Sequence, residues 1–453
     1  MTMERPVLKI ATIAGVGLLL MIGVALVDGL VDERRSRQHD ATEEVAESWG
    51  KAQTFSGPQL RFTWLTEELD SKKKPVTISK EYWLMPDSMM IRGDVRPHKR
   101  RRGIYDVVLY ETDLEYTATF SWASLYDRFS KSGGRLQPDV GVVLSITDPR
   151  SFSAELQASV NGKSMAFKPT DAGGFSARQE LRAELPEMLK ADSQIVVRGK
   201  IRLRGSQQLS FIPTGKNTRV VVDGAWADAG FSGTWLPEHP PADSTFHAEW
   251  NISYYGRNFS QVPSVEFMRG VEPNSFSISL HDVVNSYVKT ERSVKYIIVV
   301  IVLTFALFFV LELLAAAQIH PVQYLLVGCS LVLFYLLLLG ISEFLAFDAA
   351  YGIATGMTVL CVALYMRALL GSTKKSAIVG GLMFAMYGFM LVLLSLQEYS
   401  LLLGSFASFV ALASIMFTTR KVQWSRKTKK SSIFRQFRGI VGPQPQPSDE
   451  DVE

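Results

Sequence analysis

Cysteine is almost missing from this sequence: its 453 residues hold two, Cys329 and Cys361, and both fall inside long apolar runs. The polar middle of the chain therefore cannot hold a disulfide, even in a compartment that permits one. It must be stabilised by an ordinary core, which its length allows. Catalytic signatures are missing too. There is no H-E-x-x-H, "NGKS" (Asn161 to Ser164) lacks the upstream glycine that bends a loop round a phosphate, and it reads as a turn. "GFSGT" (Gly230 to Thr234) carries its glycine one place too early for a nucleophile elbow. His239 and His247 lie near Glu238, Asp243 and Glu249 in "PEHPPADSTFHAEW", but that spacing matches no metal-ligand pattern. The expectation is a non-enzyme with no catalytic, metal or cofactor site. Asn251-Ile-Ser and Asn258-Phe-Ser are formal glycosylation sequons, irrelevant if the protein is bacterial.

Charge is absent from "IATIAGVGLLLMIGVALV", Ile10 to Val27, a run close to the ~20 residues that cross a bilayer. Arg5 and Lys9 precede it, as in a secretory signal, yet signal cores are shorter and end in small residues. The exit "VALVDGLVDERR" favours an uncleaved anchor. Further apolar runs span Tyr296 to Leu314, Val322 to Ile341, Ala349 to Met366, Ala377 to Leu396 and Tyr399 to Thr419. The predicted fold class is thus a polytopic α-helical membrane protein with six transmembrane helices. A large β-rich (α+β) extracytoplasmic domain lies between helix 1 and helix 2. The divisions are an N-terminus at 1–9, the first span at 10–27, the β-rich domain at 28–294, a five-helix bundle at 295–419 and a basic, then disordered tail at 420–453.

Orientation follows from Lys and Arg, which collect in short cytoplasmic loops. Arg367, Lys374 and Lys375 lie between the fourth and fifth spans, and "TTRKVQWSRKTKK" follows the last. Both termini are then expected in the cytoplasm. Arg34, Arg35, Arg37, Lys289, Arg292 and Lys295 oppose this, but they flank a large domain, and such domains translocate largely regardless of charge.

A polar, helical stalk (Asp32 to Lys51) is expected to lead into strands. In "QIVVRGKIRLRG", Ile195, Val197, Gly199, Ile201 and Leu203 alternate with Val196, Arg198, Lys200, Arg202 and Arg204, the mark of a half-buried strand. Gly141 to Asp148, Leu209 to Pro213, Thr218 to Trp226 and Ser275 to Leu280 read likewise. Ser121 to Lys131 and Ala177 to Lys190 read as helices. Short strands with turn signals predict one sandwich-like domain or two. Three basic features stand out: "SKKKP" (Ser71 to Pro75), "PHKRRRG" (Pro97 to Gly103) and the charged face of 194–205. They read either as exposed loops and a solvated sheet face, or as attractors of anionic envelope phosphates.

Among the spans, Glu312, His320 and Glu343 are the candidate functional or structural polar residues, since ionisable groups there are costly. Pro321 favours a helix start, so the helix holding Glu312 should end near Gln318 and the next begin at Pro321. His320 then sits at the cytoplasmic interface. Glu312 becomes a near-interface carboxylate, either structural or part of a proton or ion relay. Gly352 and Gly356 in "GIATG" are the candidate helix-packing pair. "SSIFRQFRGIV" (Ser431 to Val441) suits a helix on the anionic inner leaflet.

"FFVLE" (Phe308 to Glu312) followed by "HPVQYLLVGCSLVLFYLLLLGISE" (His320 to Glu343) resembles the CreD family, inner-membrane proteins of Gram-negative bacteria also called cell envelope integrity or stress-response proteins. "YWLMPDSMMIRGDV" (Tyr82 to Val95), "RGIYDVVLY" (Arg102 to Tyr110), "FSGTWLP" (Phe231 to Pro237) and "FHAEWNISYYGRN" (Phe246 to Asn258) extend the resemblance over nearly the whole chain. It implies a multi-pass protein of the bacterial inner membrane with a periplasmic domain and a role in envelope integrity under stress, and it brings no catalytic residue or ligand. The expected partners are the lipid bilayer and envelope proteins or anionic lipid and phosphate groups, with no nucleic acid and no cofactor. Oligomeric state is left open. The alternative function is a small transporter or ion or proton pathway using Glu312 and His320.

Overall fold

A computed structural model describes residues 5–69, 74–122, 125, 129, 134–137, 139–170, 179–185, 194–238, 244–269, 273–280, 286–315, 319–396 and 400–419. The chain divides into a helical unit, Met1–Val31 with Val288–Glu453, and a β unit, Asp32–Tyr287. Helix α1 (Arg5–Trp49) runs through the boundary, so the anchor and the expected stalk are one helix.

In the β unit, alternation of apolar and polar residues builds two sheets over one core. One is nine-stranded, in the order β14 (Ala229–Gly233), β16 (Phe276–Leu280), β12 (Gln208–Ile212), β1 (Gln53–Leu69), β6 (Gly141–Ile146), β10 (Gln179–Glu184) and β9 (Lys168–Thr170). Strands β2 (Pro75–Leu84) and β5 (Arg135–Leu136) also pair with β1. The other is seven-stranded: β15 (Phe246–Ser253), β13 (Asn217–Gly224), β3 (Ser88–Arg102), β4 (Tyr105–Ser121), β11 (Gln194–Ser206), β7 (Gln157–Val160) and β8 (Lys163–Met165). Phe55, Leu60 and Phe62 from the first sheet meet Ile91, Leu114, Ile201 and Trp250 from the second in a single cluster, so there is one sandwich rather than two. The Asn161-Gly162 turn joins β7 to β8 with φ of 49° and 82°, which suits an Asn-Gly hairpin.

Two expectations are overturned. The stretch expected as a helix at Ala177 to Lys190 contains strand β10 instead; Leu181 and Ala183 enter the core while Glu180 and Arg182 face the other way. Its Glu, Leu, Arg and Ala favour helices, and pairing with β6 and β9, which turns Leu181 and Ala183 into the core, outweighs that weak propensity. Pro97 to Gly103 is not a loop but the end of β3 and its turn, paired residue by residue with β4 through Arg102 and Tyr105. Most of Ser121 to Lys131, part of "SKKKP", and the tail after Thr419, including Ser431 to Val441, lie outside the described residues.

The basic face of β11 is one half of a charge ladder. Lys200 reaches Glu115 at 3.0 Å, Arg202 reaches Asp113 at 2.7 Å and Arg204 reaches Glu111 at 3.3 Å, all across to β4. Arg96 of β3 adds a second contact to Asp113 at 2.8 Å. Most of this face is therefore internally matched, and exposed pairs of this kind are each worth little. Asp113 is the exception in electrostatics: burial pushes its carboxyl up, but the hydrogen bonds from Arg202 and Arg96 outweigh that and hold it below the ordinary range. A depressed carboxyl stabilises above its unfolded value of about 3.9 and loses that contribution as pH falls through the folded value. Asp113→Asn should therefore flatten the fall in stability below about pH 4; unchanged acid denaturation midpoints would refute it.

In the helical unit, α2 being the short helix Val265–Arg269 of the β unit, the order is α3 (Ser286–Lys295), α4 (Ile297–Ala315), α5 (Pro321–Ser342), α6 (Phe347–Leu370), α7 (Thr373–Ser395) and α8 (Ser400–Thr419). Among the described residues, four helices, α1, α5, α6 and α7, are long and apolar enough to cross a membrane; α3 and α4, bent by 46°, together make a fifth candidate. Helix α8 carries a shorter apolar stretch, Leu402–Ser414.

Candidate intramembrane polar site

Three helix ends carry the site. Lys9 lies in the second turn of α1, Glu312 in the last turn of α4, and Tyr324 in the first turn of α5. The ammonium of Lys9 forms an ion pair with Oε1 of Glu312. The Tyr324 hydroxyl donates to Oε2 at 3.3 Å. Both carboxylate oxygens are thus engaged, in a place where the Glu312 side chain is only 13% exposed and an unpaired charge would be costly. The ring of Tyr324 is held edge-on by Phe305 and Phe308, at 5.5 and 6.3 Å.

His320 caps α5. Its backbone N–H donates to Oε1 of Gln323 at 2.8 Å, its Nδ1 accepts from the N–H of Val322 at 3.4 Å, and Pro321 takes the first helical position. Proline belongs there because its missing N–H would have had no partner inside the helix. His320 is exposed, and its described hydrogen bonds serve the cap rather than Glu312.

Glu343 closes the other end of α5, at its C-cap. At 1.5 Å per residue the two ends of this helix stand roughly 30 Å apart. The three polar residues singled out in the sequence therefore do not converge. Near Glu343's end of the unit, Lys289 approaches Asp348 at 3.9 Å and lies 5.5 Å from the ring of Phe347.

Among the described residues, Gly352 and Gly356 do not pack one helix on another. Both are exposed, with nothing within 4 Å of where a Cβ would stand. Helix α6 turns Ala350, Tyr351, Ala354 and Thr355 inward instead. The close approach falls at Gly328, where a Cβ would stand 2.1 Å from Leu20 of α1 and 3.1 Å from Phe305 of α4. Small residues at helix contacts let backbones come together; here Gly328 does so most closely, Gly23 against Val332 and Gly380 against Ala363 less so, and the spaced pair does not.

Lys9 is the residue that sequence reasoning missed. It is 303 positions from Glu312. The usable signal was a match in depth: a cation just before the first apolar run and an anion just before the end of the second.

The family model described as "Inner membrane protein CreD" matches residues 5–425. The inner membrane protein CreD of Escherichia coli K12 is 30% identical over 427 residues, covering 92% of this chain and 93% of that protein. Among solved structures, the M1 zinc metallopeptidase of Deinococcus radiodurans aligns at TM-score 0.20 and 10% identity, over 43% of this chain and 42% of that one. Native yeast LTA4 hydrolase aligns at TM-score 0.20 and 4% identity, over 43% and 28%. Likenesses that slight bear on neither fold nor activity.

Proposed function

The chain belongs to the CreD family of inner membrane proteins, and from that premise we propose that it is a non-enzymatic protein that supports or senses envelope integrity under stress. In this reading it crosses the inner membrane six times with both termini in the cytoplasm. The β unit is periplasmic and works through contacts with envelope proteins or anionic lipid and phosphate groups.

The observation that carries the reading is the Lys9–Glu312 pair with its Tyr324 hydrogen bond. The β unit is inserted in sequence between α1 and α4, and this polar knot clasps those two helices together with α5. A carboxylate occupied in this way is a fastening, which favours a structural role over a proton or ion pathway through Glu312 and His320.

Glu312→Gln should weaken packing in the helical unit by roughly 1.5–3 kcal/mol, the usual worth of a hydrogen bond to a charged group. Thermal unfolding in micelles would read this loss, and the paired exchange Lys9→Glu with Glu312→Lys should recover most of it. In liposomes neither variant should alter proton flux. A flux carried by the parent and abolished by Glu312→Gln would overturn the structural role in favour of the pathway. The placement of the β unit is read by a phosphatase fused near Gly215, active only if that unit is exported. Its contacts are read by crosslinking from the β unit in living cells; capture of no envelope component would sink the proposal.

A further inference from the structure

A groove of about 910 Å³ opens on the β unit beside residues 254–267. Its wall includes Arg257, which is only 9% exposed. Burying a guanidinium is costly unless a counter-charge accompanies it, and here the partners are neutral. The side chain donates to the carbonyl of Thr214 and, at 2.8 Å, to Oε1 of Gln261, while its Nε is buried with no partner. The rings of Tyr254 and Phe259 lie 4.9 and 5.0 Å from the guanidinium carbon, an attraction that offsets part of the desolvation. Burial still pulls the Arg257 pKa down to about 10, as expected for a cation with no carboxylate beside it among the described residues.

The same groove exposes aromatic surface that a core would have hidden. Tyr255 is 94% exposed and Phe267 51% exposed, and both line the groove. A buried cation with no anion among the described residues, next to exposed aromatic surface, is the composition of a ligand site: an apolar wall with a few placed polar groups. Tyrosine and arginine are also the side chains that most often dominate binding energy.

We propose that this groove binds a carboxylate carried on a ring with an apolar face, with the carboxylate completing Arg257 and the ring lying against Tyr255 and Phe267. An aromatic ring and a sugar ring present that same chemistry. Calorimetric titration of the full-length protein in micelles distinguishes the two sources, using N-acetylphenylalanine beside its neutral amide and methyl glucuronide beside neutral methyl glucoside. At least one acid should bind about tenfold or more tightly than its uncharged counterpart, the usual margin for a charge-assisted hydrogen bond; which acid does so identifies the ring. Tyr255→Ala should weaken that binding about fivefold while leaving the melting temperature unchanged, because the side chain is almost fully exposed. Arg257→Gln should abolish the preference for the acid. The proposal fails if neither acid outbinds its neutral counterpart, or if Tyr255→Ala leaves the affinity where it was.

Discussion

Replacing Arg61 by methionine should destabilise the β unit by about 3–5 kcal/mol, the cost of leaving a buried charge without its partner. Arg61 lies on the face of β1 turned away from the main core, at 3.2 Å from Glu180 of β10 and 2.6 Å from Glu81 of β2. The Glu180 side chain is fully buried, and that of Arg61 is 8% exposed. A second apolar cluster on this side, Trp83, Met85, Val143, Phe259, Val265 and Met268, includes the Trp83 ring, 5.9 Å from the Arg61 guanidinium. Glu81 is 40% exposed and can return to water; Glu180 cannot. Adding Glu180→Leu to Arg61→Met should therefore recover most of the loss, since apolar replacements of a buried pair are often neutral. Urea unfolding followed by tryptophan fluorescence would measure both, and a single variant within about 1 kcal/mol of the parent, on the scale of an exposed pair, would refute the prediction.

Adding a methyl group at Gly199 and Gly205 together should cost roughly 2–6 kcal/mol, taking about 1–3 for each overpacked site and adding them as distant positions. Each glycine of β11 lies directly across from a tyrosine of β4: Gly199 from Tyr116 and Gly205 from Tyr110. A Cβ at Gly199 would stand 2.2 Å from the Tyr116 hydroxyl, and one at Gly205 would stand 2.3 Å from that of Tyr110. Alanine in place of strand glycine would otherwise gain up to about 1 kcal/mol, so the clash decides the sign. Neither ring can swing clear, because both are buried in the main core; burial also pushes both phenols well above the ordinary tyrosine range and keeps them neutral. In the Gly199→Ala background, Tyr116→Leu should restore stability. If it lowers stability further, the ring was not resting on the glycine.

These two sites show where sequence reading stops. The alternation in β11, including Gly199 on its inward face, was legible because it is local, and so was the helix start at Pro321. The tyrosines that need the glycines are on another strand, outside any local window. The Arg-rich end of β3 reads as a loop while its pairing with β4 is unknown. Strand β10 looks helical until Leu181 and Ala183 are seen to share a core with β6. In the helical unit the depth of Glu312 could be read directly, whereas its partner could not, because periodicity reports a face and never names the residue opposite. Arg257 gave no signal at all: one arginine in "YYGRN" becomes notable only when its neighbours prove to be neutral.

The clasp between Lys9 and Glu312 also sets a waiting time. Translation at about 5–20 residues per second separates the two residues, 303 positions apart, by roughly 15–60 s. During that interval the first helix has neither its counter-ion nor the hollow at Gly328 that receives Leu20, and the whole β unit emerges before either is made. The first helix of the unit is thus among the last of its elements to be locked, and assembly of the helical unit reports that synthesis has passed through the β unit.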